Sequence, residues 1–445
     1  MTSTVSLTHE RPSVRNVRYA LETLARARAH TMSILAPLTD ADVAPQHDPL
    51  MSPILWDLGH IAAFEALWLL RNLDGPIEFT EMPGTYNPFE HPRSTRGSLP
   101  LPTLHGQTAE LARVRHAVLA RLAGVAFDDA SPLLRDGYVV RMVAQHECQH
   151  QETILQTLQL KTGAPYAAPS AWAMPAGVAP LIEGAMVRCA AGRVRIGTDD
   201  RTESYDNERP SHDVFLAPFD IDVSPVTNGA FLGFVERGGY DTRAYWSEAG
   251  WAWRCESGSR APKHWERGAS GQWTTRTMDR VAEVDPLGPV CHVCFHEAHA
   301  FASSVGKRLP TEDEWEVAAT WNPRTQRQQR YPWGDEPLTP ALANVDQLSF
   351  GVAQVGAYAR NVSPTGCYGM IGDVWEWTSS DFTGYPGFAA FPYREYSEVF
   401  FGRDYKVLRG GSWATSADVA RSTFRNWDYP IRRQLFAGFR CARDA

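Results

Sequence analysis

Apolar residues recur at helical spacing through roughly the first 165 positions. The run from Val17 to Leu38 sets Tyr19, Leu21, Leu24 and Ile34 among Glu and Arg. Thr108 to Leu122 repeats the pattern with Leu111, Val114, Val118 and Leu122, and Gly137 to Leu160 with Val140, Val143, Ile154 and Leu158. Steps of three and four residues put such side chains on one helical face. Ser52-Pro53 supplies a capping residue and then proline at the first helical position, which predicts a further helix to about Asn72. Four amphipathic helices of this length close one bundle core. The stretch Asp74 to His105 is rich in Pro, Gly and Thr and predicts a long loop. Loops of that length in compact domains often carry function.

The texture changes after a Pro/Ala-rich stretch, Ala164 to Pro180. From Ala185 the chain shows short apolar runs, many Gly and Pro turns, and repeated Trp. Met186 to Ile196 alternates about Gly192 like a hairpin, Phe215 to Val223 alternates as a strand, and Pro289 to Phe295 reads as another. Helical stretches interrupt at Asn228 to Glu236, His296 to Val305 and Glu312 to Thr320. The expected organisation is α+β and multidomain: a four-helix bundle over 1–165, a linker over 166–184 and a mixed α+β domain over 185–445. The 15 Trp, mostly in the second half, can build a core with little regular secondary structure. Trp375 and Trp377, two apart in a strand, are expected to be core residues.

Charge and composition narrow the function. With 51 acidic and 43 basic residues the net charge is −8, which gives no general basic surface for nucleic acid or anionic lipid. A 43% hydrophobic and 21% charged composition is that of an ordinary globular protein. No apolar run reaches the ~18 residues of a membrane span, and Glu65 interrupts the best candidate around His60 to Leu70. Met1 to Val5 lacks the basic start and apolar core of a secretion signal. Seven cysteines, an odd number spread from Cys148 to Cys441, do not make a disulfide framework. A reducing cytoplasm is the expected compartment.

His146-Glu147-Cys148-Gln149-His150 places two imidazoles four residues apart on a predicted helix. Both rings then project from one face and can share a metal ion; two histidines on a solvated face have the same spacing. The string also reads as H-E-x-x-H, in which zinc peptidases use the Glu as general base, but the longer zincin extension is absent. His60, on the second bundle helix, is available as a third ligand. A three-nitrogen set leaves coordination positions open, and imidazole suits iron as well as zinc, so the spacing alone does not choose the metal. Cys291-His292-Val293-Cys294 lacks the second ligand pair of a zinc knuckle.

The segment Leu50-Met51-Ser52-Pro53-Ile54-Leu55-Trp56-Asp57-Leu58-Gly59-His60-Ile61, together with His146 to Glu152, resembles the DinB-like bundle of the hercynine-modifying sulfoxide synthases of ergothioneine biosynthesis. The second half resembles the formylglycine-generating-enzyme type of domain, a C-type-lectin-like α+β fold. Its markers are Asn207-Glu208-Arg209-Pro210, Pro225-Val226-Thr227-Asn228, Arg308 to Glu316, Pro332-Trp333-Gly334, Gly372 to Trp377 and Arg409-Gly410-Gly411-Ser412-Trp413. The resemblance spans nearly the whole chain. No cysteine lies between Ala414 and Phe424, where true formylglycine-generating enzymes carry a reactive pair, so this domain is expected to bind substrate rather than activate sulfatases.

The resemblance implies an Fe(2+) site on His60, His146 and His150. It implies a thiol-substrate clamp in Phe89 to Arg96, with Arg93 and Arg96 gripping carboxylates. Asp428 and Arg432 would take the donor's amine and carboxylate; a structural ion pair is the plain alternative for them. Asn426 and Gln149 would contact the betaine, and Tyr393 would act as the catalytic tyrosine beside the metal. The activity implied is oxidative joining of the γ-glutamylcysteine sulfur to C2 of hercynine with O2, giving a sulfoxide. Cysteine or a selenium donor, the latter giving selenoneine, are alternatives with the same iron chemistry. A zinc hydrolase using Glu147, and a metal-binding recognition module without turnover, are the competing classes. The expected partners are these small molecules, with neither nucleic acid nor membrane.

Overall fold

The computed structural model describes residues 12–73, 84–127, 131–169, 175, 182–189 and 192–445. The expected signal-free start and most of the expected linker lie outside the described residues. The chain divides into two compact units, one of Met1–Gln151 with Asp200–Tyr205, the other of Glu152–Asp199 with Asp206–Ala445.

The first unit is helical. Helix α1 (Pro12–Leu35) buries Ala20, Leu24, Ala27, Thr31 and Ile34, alternating steps of three and four that trace one face. Tyr19, expected on that face, is 38% exposed. A single turn, α2 (Asp40–Val43), precedes α3 (Ile54–Ala66), which is buried at every residue from Ile54 to Glu65 and is therefore central. Pro53 is the residue before α3 rather than its first helical position, and Ser52 does not cap it. The helix continues as a π-helical turn, Leu67–Arg71. Within the described part of the expected loop there are two 3-10 turns, Gly84–Tyr86 and Arg93–Ser98. Helix α4 (Leu104–Leu122) starts four residues earlier than the periodicity implied, because the Thr103 hydroxyl caps it by accepting from the Gly106 amide at 3.2 Å. It buries Leu111, Val114, Val118 and Leu122. Helix α5 (Tyr138–Leu160) carries the paired histidines.

The second unit is a mixed α+β structure of short strands. Strands β1 (Met186–Cys189) and β2 (Gly192–Ile196) are followed by β3 (His212–Leu216) and β4 (Phe219–Asp222). The expected Met186–Ile196 hairpin does not form: β1 pairs antiparallel with β4, and β2 with β3. The expected Phe215–Val223 strand is likewise split, since Ala217-Pro218 separates β3 from β4 and proline cannot donate to a ladder. Helix α6 (Asn228–Glu236) matches its expected span; α7 (Glu248–Ser257) was not expected from the pattern. Strands β5 (Trp265–Arg267), β6 (Trp273–Thr277) and β7 (Arg280–Glu283) form a three-stranded meander. Pro289–Phe295 is not a strand; it makes one isolated bridge and leads into α8 (Phe295–Ser304).

Helix α9 (Glu312–Thr320) is opened by a capping box of Thr311 and Glu314. After the short pair β8 (Trp321–Asn322) and β9 (Arg327–Gln328) come β10 (Trp375–Phe382), β11 (Gly402–Arg409), β12 (Asn426–Asp428) and β13 (Ala437–Gly438). They make a four-stranded sheet ordered β12-β11-β10-β13, and β14 (Ala442–Asp444) joins β4. Trp375 and Trp377 are buried, as expected, and Trp315 of α9 packs in one core cluster with Phe219, Ile221, Val345, Met370 and Ile371. Four buried arginines in this unit each meet a glutamate: Arg409–Glu316 at 2.5 Å, Arg421–Glu208 at 2.5 Å, Arg425–Glu312 at 2.7 Å and Arg440–Glu376 at 2.7 Å. Burial of a charge is tolerated only with such a partner.

Candidate metal centre

Helix α3 contributes His60, and α5 contributes His146 and His150 one turn apart. The three rings each offer a nitrogen within 4.8 Å of the others, and they are the one such group of three potential ligands among the described residues. Nε2 of His60 and Nε2 of His146 lie 3.2 Å apart. An ion bound at ~2.0–2.1 Å from each nitrogen needs a separation of about 3.0–3.4 Å, so this spacing suits a shared metal.

The tautomers follow from the partners. His60 Nδ1 faces the Tyr86 carbonyl at 2.8 Å, and a carbonyl only accepts, so Nδ1 carries the hydrogen and Nε2 keeps its lone pair. His150 Nδ1 faces Asp57 Oδ1 at 3.1 Å and is oriented in the same manner. Outer partners of this kind fix ring orientation and raise ligand basicity. Flat contacts hold the rings too: Trp56 stacks on His60 at 4.8 Å and 12°, and Phe64 on His146 at 3.7 Å and 11°. Burial, reinforced by His150, holds the pKa of His60 well below 6.5, and the same two causes act on His146. Neutral imidazoles are the metal-binding form.

Local sequence explains the fit around Tyr86. Gly59 precedes His60, and a Cβ there would lie 2.1 Å from the Tyr86 ring, so only glycine admits the ring that brings its carbonyl to His60. Gln107 holds the Tyr86 hydroxyl at 2.7 Å.

The remaining predicted residues divide between the two units. Arg96 is 6% exposed, not a solvated loop arginine: its Nε donates to the His91 carbonyl at 2.9 Å and Nη1 to Ser52 Oγ at 2.7 Å. Its guanidinium lies 3.5 Å over the Trp56 ring. Burial, then the Arg93 charge, lowers its pKa to about 9, against the pull of Asp57. Arg93 is exposed. Gln149 donates to the Tyr205 hydroxyl at 2.7 Å. In the second unit, Arg432 Nη1 pairs with Asp428 Oδ2 at 3.2 Å, and its Nε donates to Gln434 at 3.1 Å. Asn426 opens β12, and Tyr393 is 8% exposed, edge-on to Tyr396 at 6.2 Å.

Glu147 does not face the cluster. Its carboxylate accepts from Arg28 at 2.8 Å, Thr31 at 2.7 Å and Arg115 at 3.2 Å, beside Glu65, which takes Arg28 at 2.7 Å and Arg115 at 2.5 Å. A base committed to two guanidinium groups has no free lone pair for a metal-bound water, which removes the peptidase reading. The Cys291 thiol is pushed up by burial and Cys294 stands before α8, so neither is a thiolate ligand.

Sequence reasoning did not assign roles to Asp57, Tyr86 or Trp56. Asp57 carries a signal, an acid in the mostly apolar first half of its helix three residues before His60; Tyr86 acts through its backbone carbonyl and carries none.

Known proteins match both parts. Residues 23–154 match the DinB superfamily, and residues 177–445 the Sulfatase-modifying factor enzyme 1-like domain. The chain is thus a DinB-type bundle bearing a three-histidine cluster, fused to a sulfatase-modifying-factor-type domain. Hercynine oxygenase of Mycolicibacterium thermoresistibile is 45% identical over 431 residues, covering 95% of this chain and 94% of that protein. The hercynine oxygenases of Mycobacterium tuberculosis and Mycolicibacterium smegmatis are 45% and 43% identical, each over 95% of this chain and 97% of theirs. The chain belongs to the hercynine oxygenase family.

Proposed function

We propose that the chain is an iron(II)-dependent oxygenase that joins the sulfur of γ-glutamylcysteine to C2 of the hercynine imidazole and yields the sulfoxide. The observation that carries this reading is the cluster of His60, His146 and His150, with two of its rings turned lone pair inward by Tyr86 and Asp57, in a member of this family. In the reaction the C2–H and S–H bonds break, C–S and S–O bonds form, and the second oxygen atom leaves as water. The four electrons that reduce O2 come from the two substrates. A bound iron(II) ion supplies Lewis acidity toward the thiol and redox chemistry toward dioxygen.

The chain's own residues bind and orient. His60, His146 and His150 would hold the ion. Arg93 and Arg96 take a donor carboxylate, bidentate recognition that suits guanidinium. Asp428 takes the donor's amine and Arg432 its carboxylate, exchanging part of their mutual ion pair for the ligand. Gln149 and Asn426 contact the betaine, and the Tyr393 phenol delivers a proton from its Oη. The working division is bundle 1–165, linker 166–184 and substrate-binding domain 185–445. All seven cysteines are free thiols, which supports a reducing cytoplasm; no helix among the described residues is long and apolar enough to cross a membrane.

The test is anaerobic reconstitution with Fe(II), addition of hercynine and γ-glutamylcysteine, then admission of air while oxygen uptake and product mass are followed. Cysteine and a selenol donor run in parallel. A sulfoxide from γ-glutamylcysteine supports the reading; product from the selenol alone reassigns the donor; no oxygen use with any donor overturns it. Tyr393→Phe is expected to divert turnover to simple thiol oxidation, and an unchanged product ratio removes its role.

A further inference from the structure

Arg96 differs from four other deeply buried arginines of the chain. Arg409, Arg421, Arg425 and Arg440 each hold a glutamate at 2.5–2.7 Å. Arg96 is nearly as inaccessible as these, yet among the described residues its hydrogen-bond partners are a hydroxyl and a carbonyl, with no carboxylate paired to it. Asp57, the acid that acts on it electrostatically, has Oδ1 committed to His150. The guanidinium is not left to wander: it lies 3.5 Å over the Trp56 ring, which stacks on His60 and is pinned by its own Nε1–H donating to the Thr85 carbonyl at 2.8 Å. A positive charge is thereby held at fixed reach from a metal ligand, in a region where water screens weakly.

We propose that this Arg96–Trp56–His60 stack couples donor binding to metal binding. The guanidinium, which has no hydrogen-bonded carboxylate among the described residues, opposes a divalent cation on the histidine cluster, and a carboxylate seated on Arg96 removes that opposition, so each ligand tightens the other. The inference rests on the reading of Arg96 as a donor-binding residue. Linkage makes the effect reciprocal: whatever factor the anion adds to metal affinity, the metal adds to anion affinity. Trp56 is a positioning residue here, since it lies against both the Arg96 guanidinium and the His60 ring and sets the distance between the two charges.

The experiment titrates the full-length apo protein with Co(II), read by its visible absorption, with and without γ-glutamylalanine. That dipeptide keeps both carboxylates of the donor and has no sulfur to bind the metal. In the wild type the dipeptide is expected to lower the Co(II) Kd about fivefold, the low end of ordinary coupling between sites. Arg96→Met, which deletes the charge, is expected to bind Co(II) about fivefold tighter than wild type without dipeptide and to show no further response. A residue with a merely structural role would weaken the metal site when removed. Calorimetry separates the failures. No binding of γ-glutamylalanine to the Co(II)-loaded wild type overturns the donor-site reading and the coupling with it. Binding that leaves the Co(II) Kd unmoved overturns the coupling alone, and that wild-type result stands whether or not the variant folds.

Discussion

Two buried polar sets meet on helix α5 at consecutive residues, and they are built to opposite rules. Glu147 belongs to a closed set: Arg28, Arg115, Glu65 and Thr31 satisfy one another, two positive charges against two negative. His146 belongs to an open one, in which burial holds His60 and His146 neutral, their Nε2 atoms lie 3.2 Å apart, and His150 brings a third ring nitrogen to the same place. One residue of helix turns a side chain by about 100°, enough to send these neighbours to different faces. The closed set is complete as it stands and serves the bundle's structure. The open set has the donor arrangement that a cation would complete.

The sharpest way to break the comparison is to remove one member of the open set. His146→Ala is expected to weaken Co(II) or Fe(II) binding by more than about 100-fold, beyond what loss of an outer partner causes, and to abolish oxygenase turnover. Metal titration and oxygen uptake check it, and the folded state should be retained because no charge is left unpaired. Glu147→Gln inverts the outcome. It strands a buried positive charge and should cost about 3 kcal/mol of stability in urea unfolding. Turnover per folded molecule should persist; loss of turnover in a fully stable variant would return Glu147 to the role of a base.

Asp57→Asn probes the border between the sets. It keeps the shape but weakens the anchor on His150 Nδ1, and a loss of about 10-fold in metal affinity is expected with little change in unfolding midpoint. The smallest effect lies in the second unit, where His264 and His292 sit with ring centroids 4.8 Å apart and, among the described residues, no third ligand. Burial lowers the pKa of both, that of His292 to about 3, with Lys263, Arg433 and Arg276 adding to it. These rings are neutral when folded, whereas the unfolded chain takes up protons below about 6.5. Their stabilising contribution is therefore complete above that pH and is lost as pH falls, by about 1 kcal/mol per ring between pH 6.5 and 5.5. Urea midpoints at the two pH values measure it, and His292→Leu should flatten the slope.

Much of the bundle is legible in the chain alone. Helical spacing locates its helices, since the face of Leu111, Val114, Val118 and Leu122 depends only on residues a turn apart. The four-residue step of His146 and His150 carries its own geometry for the same reason. Strand pairing is less legible: Met186 to Ile196 alternates well enough for a hairpin, but alternation identifies a strand and not its partner, and β4 and β3 compete successfully for β1 and β2. Helix α7 escapes the pattern because Trp251 and Trp253 sit among charged residues without a clean apolar face.

By itself, the order of residues determined the fold class, the helical placement of two imidazoles and the family to which the chain belongs. Tertiary structure alone decided that Glu147 turns away from the cluster into an ion network, that Arg96 is buried over Trp56 rather than solvated, and that the backbone of Tyr86 selects the His60 tautomer. The reason is range. Helical periodicity is enforced by neighbours within a turn, whereas the partner of a buried charge, or of a ring nitrogen, is chosen by groups tens of residues away that meet only when the core closes.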